Sequence, residues 1–191
     1  VAGTSTFVTT ANDATIILDQ GGHAFTGALL ITTNDTGTDT AGDVTISAGS
    51  TVPLDFGAST IDGDLIVTSS FLPVDSDSSG TISETESNGI TDSGALTVRG
   101  TSSFQTSVTD ANIVLDAGHA ITGKVTLNTT GSGGDATLDN GTTALELGTS
   151  AASLVTSVGG FLTLTSGAAA GITDASGETV TVGRRFYATT D

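Results

Sequence analysis

Along most of this chain apolar residues come in pairs two positions apart. Val44/Ile46, Leu54/Phe56, Leu65/Val67, Leu96/Val98 and Ile113/Leu115 are followed by Val125/Leu127, Leu145/Leu147, Leu162/Leu164 and Val180/Val182. A period of two predicts short strands with one buried face. The pairs lie roughly 9 to 15 residues apart with Gly, Asp, Asn and Ser between them, which suits either hairpins or the corners of a coiling parallel chain.

The pattern is also a repeat. "VAGTSTFVTTANDATIILDQGGHAFTG" from Val1 returns as "VRGTSSFQTSVTDANIVLDAGHAITG" from Val98, so that Phe7 matches Phe104, Asp13 matches Asp110 and His23 matches His119. The copies continue in parallel, "GDVTISAGS" with "GDATLDNGT", "PLDFG" with "ALELG", and "GITDSGALTV" with "GITDASGETVTV". Residues 1–97 therefore read as unit one, 98–181 as unit two, and 182–191 as the start of a third, in which Phe186 takes the place of Phe7. Small indels before Leu65 and Leu162 cancel, and the net difference in length has one location: residues 71–88 separate Ser70 from "GIT" in unit one, where unit two has only Ala168 to Ala170 between Gly167 and "GIT".

Composition decides between two all-β architectures. Only 4% of the 191 residues are aromatic, whereas there are 38 Thr and 26 Gly. A tandem array of β-sandwiches needs larger side chains to fill layers about 10 Å apart. Narrow coils filled by Val, Leu, Ile and Ala, with Thr, Ser and Asn stacked in ladders, fit better, so the expectation is a parallel β-helix, or β-solenoid. The "GTSTF", "ANDATIILD", "GHAFTGALLITT", "DVTISAG", "GDLIVTSS" and "GITDSGALTV" segments resemble the repeats of very large bacterial secreted surface proteins, the filamentous-haemagglutinin-like exoproteins. That resemblance implies right-handed coiling, an extracellular or cell-surface location, and a structural or adhesive role in a stalk, adhesin or filament. It also implies partners: neighbouring repeats, end-to-end copies of the chain, or a surface glycan or protein as an adhesin's ligand.

Charge narrows the partners. Four basic residues against 21 acidic ones give a net charge of −17, so nucleic acid and anionic membrane surfaces would be repelled. No apolar run approaches the roughly 18 residues of a spanning helix. The chain reads as a soluble piece of something longer. With 36% hydrophobic residues and a positive mean hydropathy it should nevertheless fold. Zero cysteine removes disulfide stapling.

The insertion carries the one motif with specific chemistry, "DSDSSGTISETE". An EF-hand-type calcium loop uses oxygen ligands at positions 1, 3, 5, 7, 9 and 12 and a Gly at 6. Counted from Asp75, these positions hold Asp77, Ser79, Thr81, Ser83 and Glu86, with Gly80 at 6 and Ile82 at 8. Asp75 and Asp77 would be monodentate, Ser79 would offer a hydroxyl, Thr81 its carbonyl, Ser83 a water-mediated contact, and Glu86 two oxygens. Hard oxygen donors without Cys or nearby His point to Ca²⁺ rather than zinc. Pro73 precludes a helix before the loop and "SETESN" allows about one turn after it, so the expectation is an EF-hand or dockerin-type loop set on a solenoid corner. An acidic insertion that merely sits in water is the competing reading.

Other candidates read as structural. His23 and His119 sit in Gly-flanked turns with no carboxylate nearby in sequence. Asp35, Asp39 and Asp43 lack the alternate spacing of a calcium loop and read as a solvated turn, a second cation being the alternative. Asp55 and Glu146 recur at matched positions, which suggests an outward strand position more than a unique active site. β-Helices also host carbohydrate-active enzymes, but with basic residues limited to Arg99, Lys124, Arg184 and Arg185, and a single Tyr, no catalysis is expected.

Overall fold

The computed structural model describes residues 2–37, 40–76, 78–83, 86–148 and 155–190. Within them there are strands and turns and no helix. One sheet contains β1 (Ser5–Val8), β3 (Leu29–Thr32), β5 (Leu54–Phe56), β6 (Ser59–Ile61), β8 (Asn88–Asp92), β9 (Leu96–Val98), β11 (Asn112–Leu115), β12 (Ala120–Ile121), β14 (Ala136–Asp139), β17 (Leu162–Ser166) and β20 (Phe186–Thr190). The other contains β2 (Ile16–His23), β4 (Val44–Ala48), β7 (Leu65–Ser69), β10 (Ser102–Thr109), β13 (Val125–Thr130), β15 (Leu145–Leu147), β16 (Ser157–Val158), β18 (Ile172–Asp174) and β19 (Thr181–Val182). The chain passes back and forth between the two and builds a β-solenoid of about seven turns.

Every strand pairing among the described residues is parallel, as β4 on β7 or β7 on β10. Sandwich repeats are built from antiparallel sheets, so that alternative is excluded. The period-two pattern is the cause of the burial: in β4, Val44, Ile46 and Ala48 are buried while Thr45 and Ser47 are partly exposed. The inward residues form one continuous core in which Phe56 and Phe104 are the largest fully buried side chains. Each such residue contributes about 1.5–3 kcal/mol by leaving water.

Corners close tightly. Gly63, Gly100 and Gly123 lie one above another on successive turns; a Cβ on Gly100 would meet the Gly63 carbonyl at 2.5 Å, and one on Gly123 would run into Gly100. Asp13 and its counterpart Asp110 both turn the chain with positive φ, 59° and 63°.

The two sequence units alternate between the sheets in opposite phase. Unit one begins in the first sheet with β1 and crosses by β2, β3, β4, β5/β6, β7 and β8/β9; this is an odd number of passes, so unit two begins with β10 in the second sheet. Each strand thus has its sequence counterpart on the other face, β3 with β13, β4 with β14 and β7 with β17. The same register corrects the expectation about Phe186. Phe186 pairs with Leu162 and Ala188 with Leu164, as Ser102 pairs with Leu65 and Phe104 with Val67. It is therefore Ala188, not Phe186, that stands where Phe7 and Phe104 stand.

Candidate functional site

The insertion leaves the solenoid after β7 and returns at β8, and its two ends belong to the body. Phe71 is buried and Asn88 opens β8. Between them Leu72, Val74 and Ile82 are exposed, and Leu72 and Ile82 line a cleft of about 600 Å³ with Val108, Asp110 and Asp135 on the turns beside it.

Of the candidate ligands, Asp75, Ser79, Thr81, Ser83 and Glu86 are described, and Asp77 lies outside the described residues. Asp75 gathers the loop around itself: its carboxylate accepts the Ser79 N–H at 3.0 Å and the Gly80 N–H at 2.7 Å. Gly80 makes the sharp turn at position 6 with φ +86°. The Ser79 hydroxyl donates to the Thr81 carbonyl at 3.0 Å, which brings two of the expected donor oxygens together. Glu86 reaches back to the start of the loop. Its Oε1 accepts both the N–H and the hydroxyl of Ser76 at 2.6 Å, and its Oε2 those of Ser83 at 2.9 and 2.8 Å. Hydrogen bonds from Ser76, then Ser83, hold its pKa down to about 2, so this closing carboxylate is ionised at any ordinary pH. The Ser83 carbonyl accepts N–H bonds from both Glu86 and Ser87, a single turn after the loop.

Asp75 thus turns the chain about Ser79 and Gly80, and Glu86 ties Ser83 back to Ser76. A carboxylate oxygen offers two lone-pair sites, and both oxygens of Glu86 are occupied by serine donors. Calcium would take those oxygens over from Ser76 and Ser83. Among the described residues no three His, Asp or Glu side chains form a cluster able to hold a metal.

The other acidic candidates do structural work. Asp35 is not on a solvated turn: its side chain is fully buried, and Arg99, from the next turns, lies 3.8 Å from it and 3.7 Å from Asp62. The Asp35 N–H also donates to Asp62. Asp39 lies outside the described residues. Asp43 accepts the Asp64 N–H at 2.9 Å, and its counterpart Asp135 accepts the Phe161 N–H at 2.7 Å. Asp55 is half-buried and Glu146 exposed, both on outward positions of their strands.

Such duplicated ties run through both units. Ser59 takes the Ile31 N–H and Thr156 the Leu127 N–H; Thr33 takes the Asp62 N–H and Thr129 the Gly159 N–H. In each case a hydroxyl satisfies a backbone donor on a neighbouring turn where a strand is too short to do so. Asn140 is fully buried and replaces a whole strand residue, accepting from the Ile121 N–H and donating to the Ile121 carbonyl, both at 2.9 Å.

Sequence reasoning left His119 without a carboxylate, and here stacking adds one. Asp92, on the turn below, places Oδ2 3.6 Å from His119 Nε2, and both side chains are fully buried. His119 Nδ1 accepts the Leu96 N–H at 2.9 Å, so the imidazole is neutral with its proton on Nε2. Burial pushes its pKa down and that of Asp92 up. No local spacing announces this pair, because its members belong to different coils.

Residues 1–32 and 73–128 match the family described as repeats of unknown function (DUF5649). Both matched stretches run to the same point, Thr32 in β3 and Asn128 in its counterpart β13. No curated protein and no solved structure matches the chain. The match and the stacked coils agree: this is a repeat protein with a solenoid body.

Proposed function

We propose that the chain is a structural segment of a bacterial stalk, adhesin or filament outside the cell, carrying one structural Ca²⁺ site in its insertion and performing no catalysis. The observation that carries this reading is where the recurring polar residues are used. Ser59/Thr156, Thr33/Thr129 and Asp43/Asp135 hold one turn to the next rather than converging on a cleft. Side chains used to tie each turn to the next suit an extended, stacked body. The net charge of −17 keeps such a rod soluble and away from other polyanions.

For calcium, Asp75, Asp77, Ser79, the Thr81 carbonyl and Glu86 would coordinate directly and Ser83 through water. The loop lacks paired helices, so a static site with Kd on the order of 10⁻⁴ to 10⁻³ M is expected. Isothermal titration with Ca²⁺ should give a binding heat for the native chain that disappears in Glu86→Gln; equal heats for the two would remove the metal from the reading. Antibodies raised against the chain should label the outside of intact cells of the source bacterium. Labelling only after the cells are broken would overturn the extracellular role.

A further inference from the structure

The cleft of about 600 Å³ beside the insertion has two walls of different chemistry. The insertion supplies Leu72, Pro73 and Ile82, and the corners of the body supply Val108, Asp110 and Asp135. Leu72 is 53% exposed and Ile82 50%, and Val74, two residues from Leu72, is 56% exposed. An excursion that only sat in water would carry polar side chains at these places, so the exposed apolar group marks a contact surface.

The acids of the opposite wall are fixed in place and keep their charge. Asp110 Oδ1 accepts the Gly133 N–H and Asp135 Oδ1 the Phe161 N–H, both at 2.7 Å, and each carboxylate has a second oxygen to offer. The ion pairs among the described residues are those of Arg99 and His119, so neither acid is neutralised by one. Arg184 also lines the cleft, but its guanidinium lies over the Phe161 ring, 5.3 Å from the centroid.

Charge then selects the occupant. At −17 the chain repels a second copy of itself, a nucleic acid or an acidic glycan, whereas a basic partner is drawn in. A bare ammonium ion would make no use of Leu72, Ile82 and Val108, and an uncharged aliphatic ligand would make none of Asp110 and Asp135. Lys and Arg bring both features, a charged head on an aliphatic stem. The volume lies in the range that encloses a drug-sized ligand, which leaves room for an aliphatic neighbour beside the basic side chain.

We propose that this cleft docks a basic, aliphatic peptide segment of another protein, with a Lys or Arg head against Asp110 and Asp135 and an aliphatic side chain against Leu72, Ile82 and Val108. The proposal deepens the adhesin reading above by naming the chemistry of the ligand, and it rests on that reading for where the ligand is met, not on the calcium site. Each wall has its own part. The body wall sets the sign of the partner's charge, and the insertion wall rejects polar segments of the same charge because they would leave Leu72 and Ile82 in water.

Fluorescence anisotropy on the full chain tests this, with a short labelled peptide of alternating leucine and lysine as the probe. It should bind at least about tenfold more tightly than the same peptide with glutamate in place of lysine, or with serine in place of leucine. Asp110→Asn together with Asp135→Asn keeps both acceptors, and Asn tolerates the positive φ of 63° at residue 110, so the corners stay closed while the charge is lost. That variant should weaken binding at least about tenfold. Ile82→Ser, at an exposed position, should weaken it about fivefold. Asp19→Asn together with Glu146→Gln removes as much charge from exposed sites outside the cleft and should change affinity less than about twofold. Equal losses in the two double variants, or a serine–lysine peptide that binds as tightly as the leucine–lysine one, would mean unspecific attraction of cations and overturns the proposal. The surface labelling described above separates the two readings. A chain that labels intact cells but does not bind the peptide refutes the cleft alone; one that binds it through Asp110, Asp135 and Ile82 yet labels only broken cells supports the cleft and refutes the extracellular role.

Discussion

Ser69 and Ser166 occupy the same position in the two units and do the same thing across very different lengths of chain. Ser69 donates to the carbonyl of Gly89, 20 residues on; the Ser166 hydroxyl lies 3.4 Å from that of Gly171, five residues on, and 2.9 Å from that of Thr143, which shares its proton. Each hydroxyl also accepts an N–H two residues later, from Phe71 and from Ala168. One clamp thus closes both corners, and the insertion hangs outside it in unit one. Loop-closure entropy grows only slowly with length, so a body that fixes both ends of a corner tolerates a long excursion there. Calcium at Asp75 to Glu86 would order the excursion without being needed for the coil.

The largest effect is expected where both units depend on the same packing. Phe104→Ala, at a position fully buried in mid-solenoid, should lower stability by about 3–5 kcal/mol in urea unfolding; a loss under about 1 kcal/mol would mean the stacked core is not what holds the units together. Next comes the clamp. Ser69→Ala and Ser166→Ala should cost about 0.5–1.5 kcal/mol each, and similar amounts, since each loses the hydrogen bonds of one hydroxyl. A much larger cost for Ser69→Ala would show that the insertion is part of the body after all.

The buried pair at the unit junction gives a pH dependence. The folded pKa of His119 lies below its ordinary 6.5, so the unfolded chain takes up the proton first. Stability from the neutral imidazole is full above about pH 6.5 and is lost as pH falls toward and through the depressed folded value. Asp92, whose folded pKa is raised by burial, acts in the opposite sense, adding stability as pH falls through its own folded value. Thermal melts should therefore show the midpoint falling between pH 7 and 5, less steeply in His119→Gln. An unchanged profile in that variant would remove His119 from the account. The smallest effect is expected from the loop: replacing residues 72–88 with the two alanines that follow Ala168 should change stability by no more than about 1 kcal/mol. Loss of cooperative unfolding in that variant would break the comparison outright.

Much of the solenoid was legible beforehand, and for a physical reason. Inward residues such as Val44 and Ile46 are marked by strand geometry alone, and an insertion that unit two replaces with Ala168 to Ala170 marks a loop the fold can do without. The hydrogen bonds of Asp75 and Glu86 stay within the insertion, a range that spacing along the chain can reach. Asp35 was not legible: its burial beneath Arg99 depends on a turn that lies far along the chain. The pairing of His119 with Asp92 was equally hidden, as was the true counterpart of Phe186, because a small shift in a corner moves a strand's register without altering its alternation.

The sequence by itself determined what repeats locally: the period-two strands, the two units, the inner and outer faces and the candidate metal loop. The tertiary structure decided in which sheet each unit starts and which side chains meet across turns. Those outcomes follow from the summed lengths of many corners, an odd number of passes in unit one among them, and no single segment encodes that sum. The hydrogen bond from Leu96 to His119 spans 23 residues, and it exists only because the intervening coil happens to be one turn long.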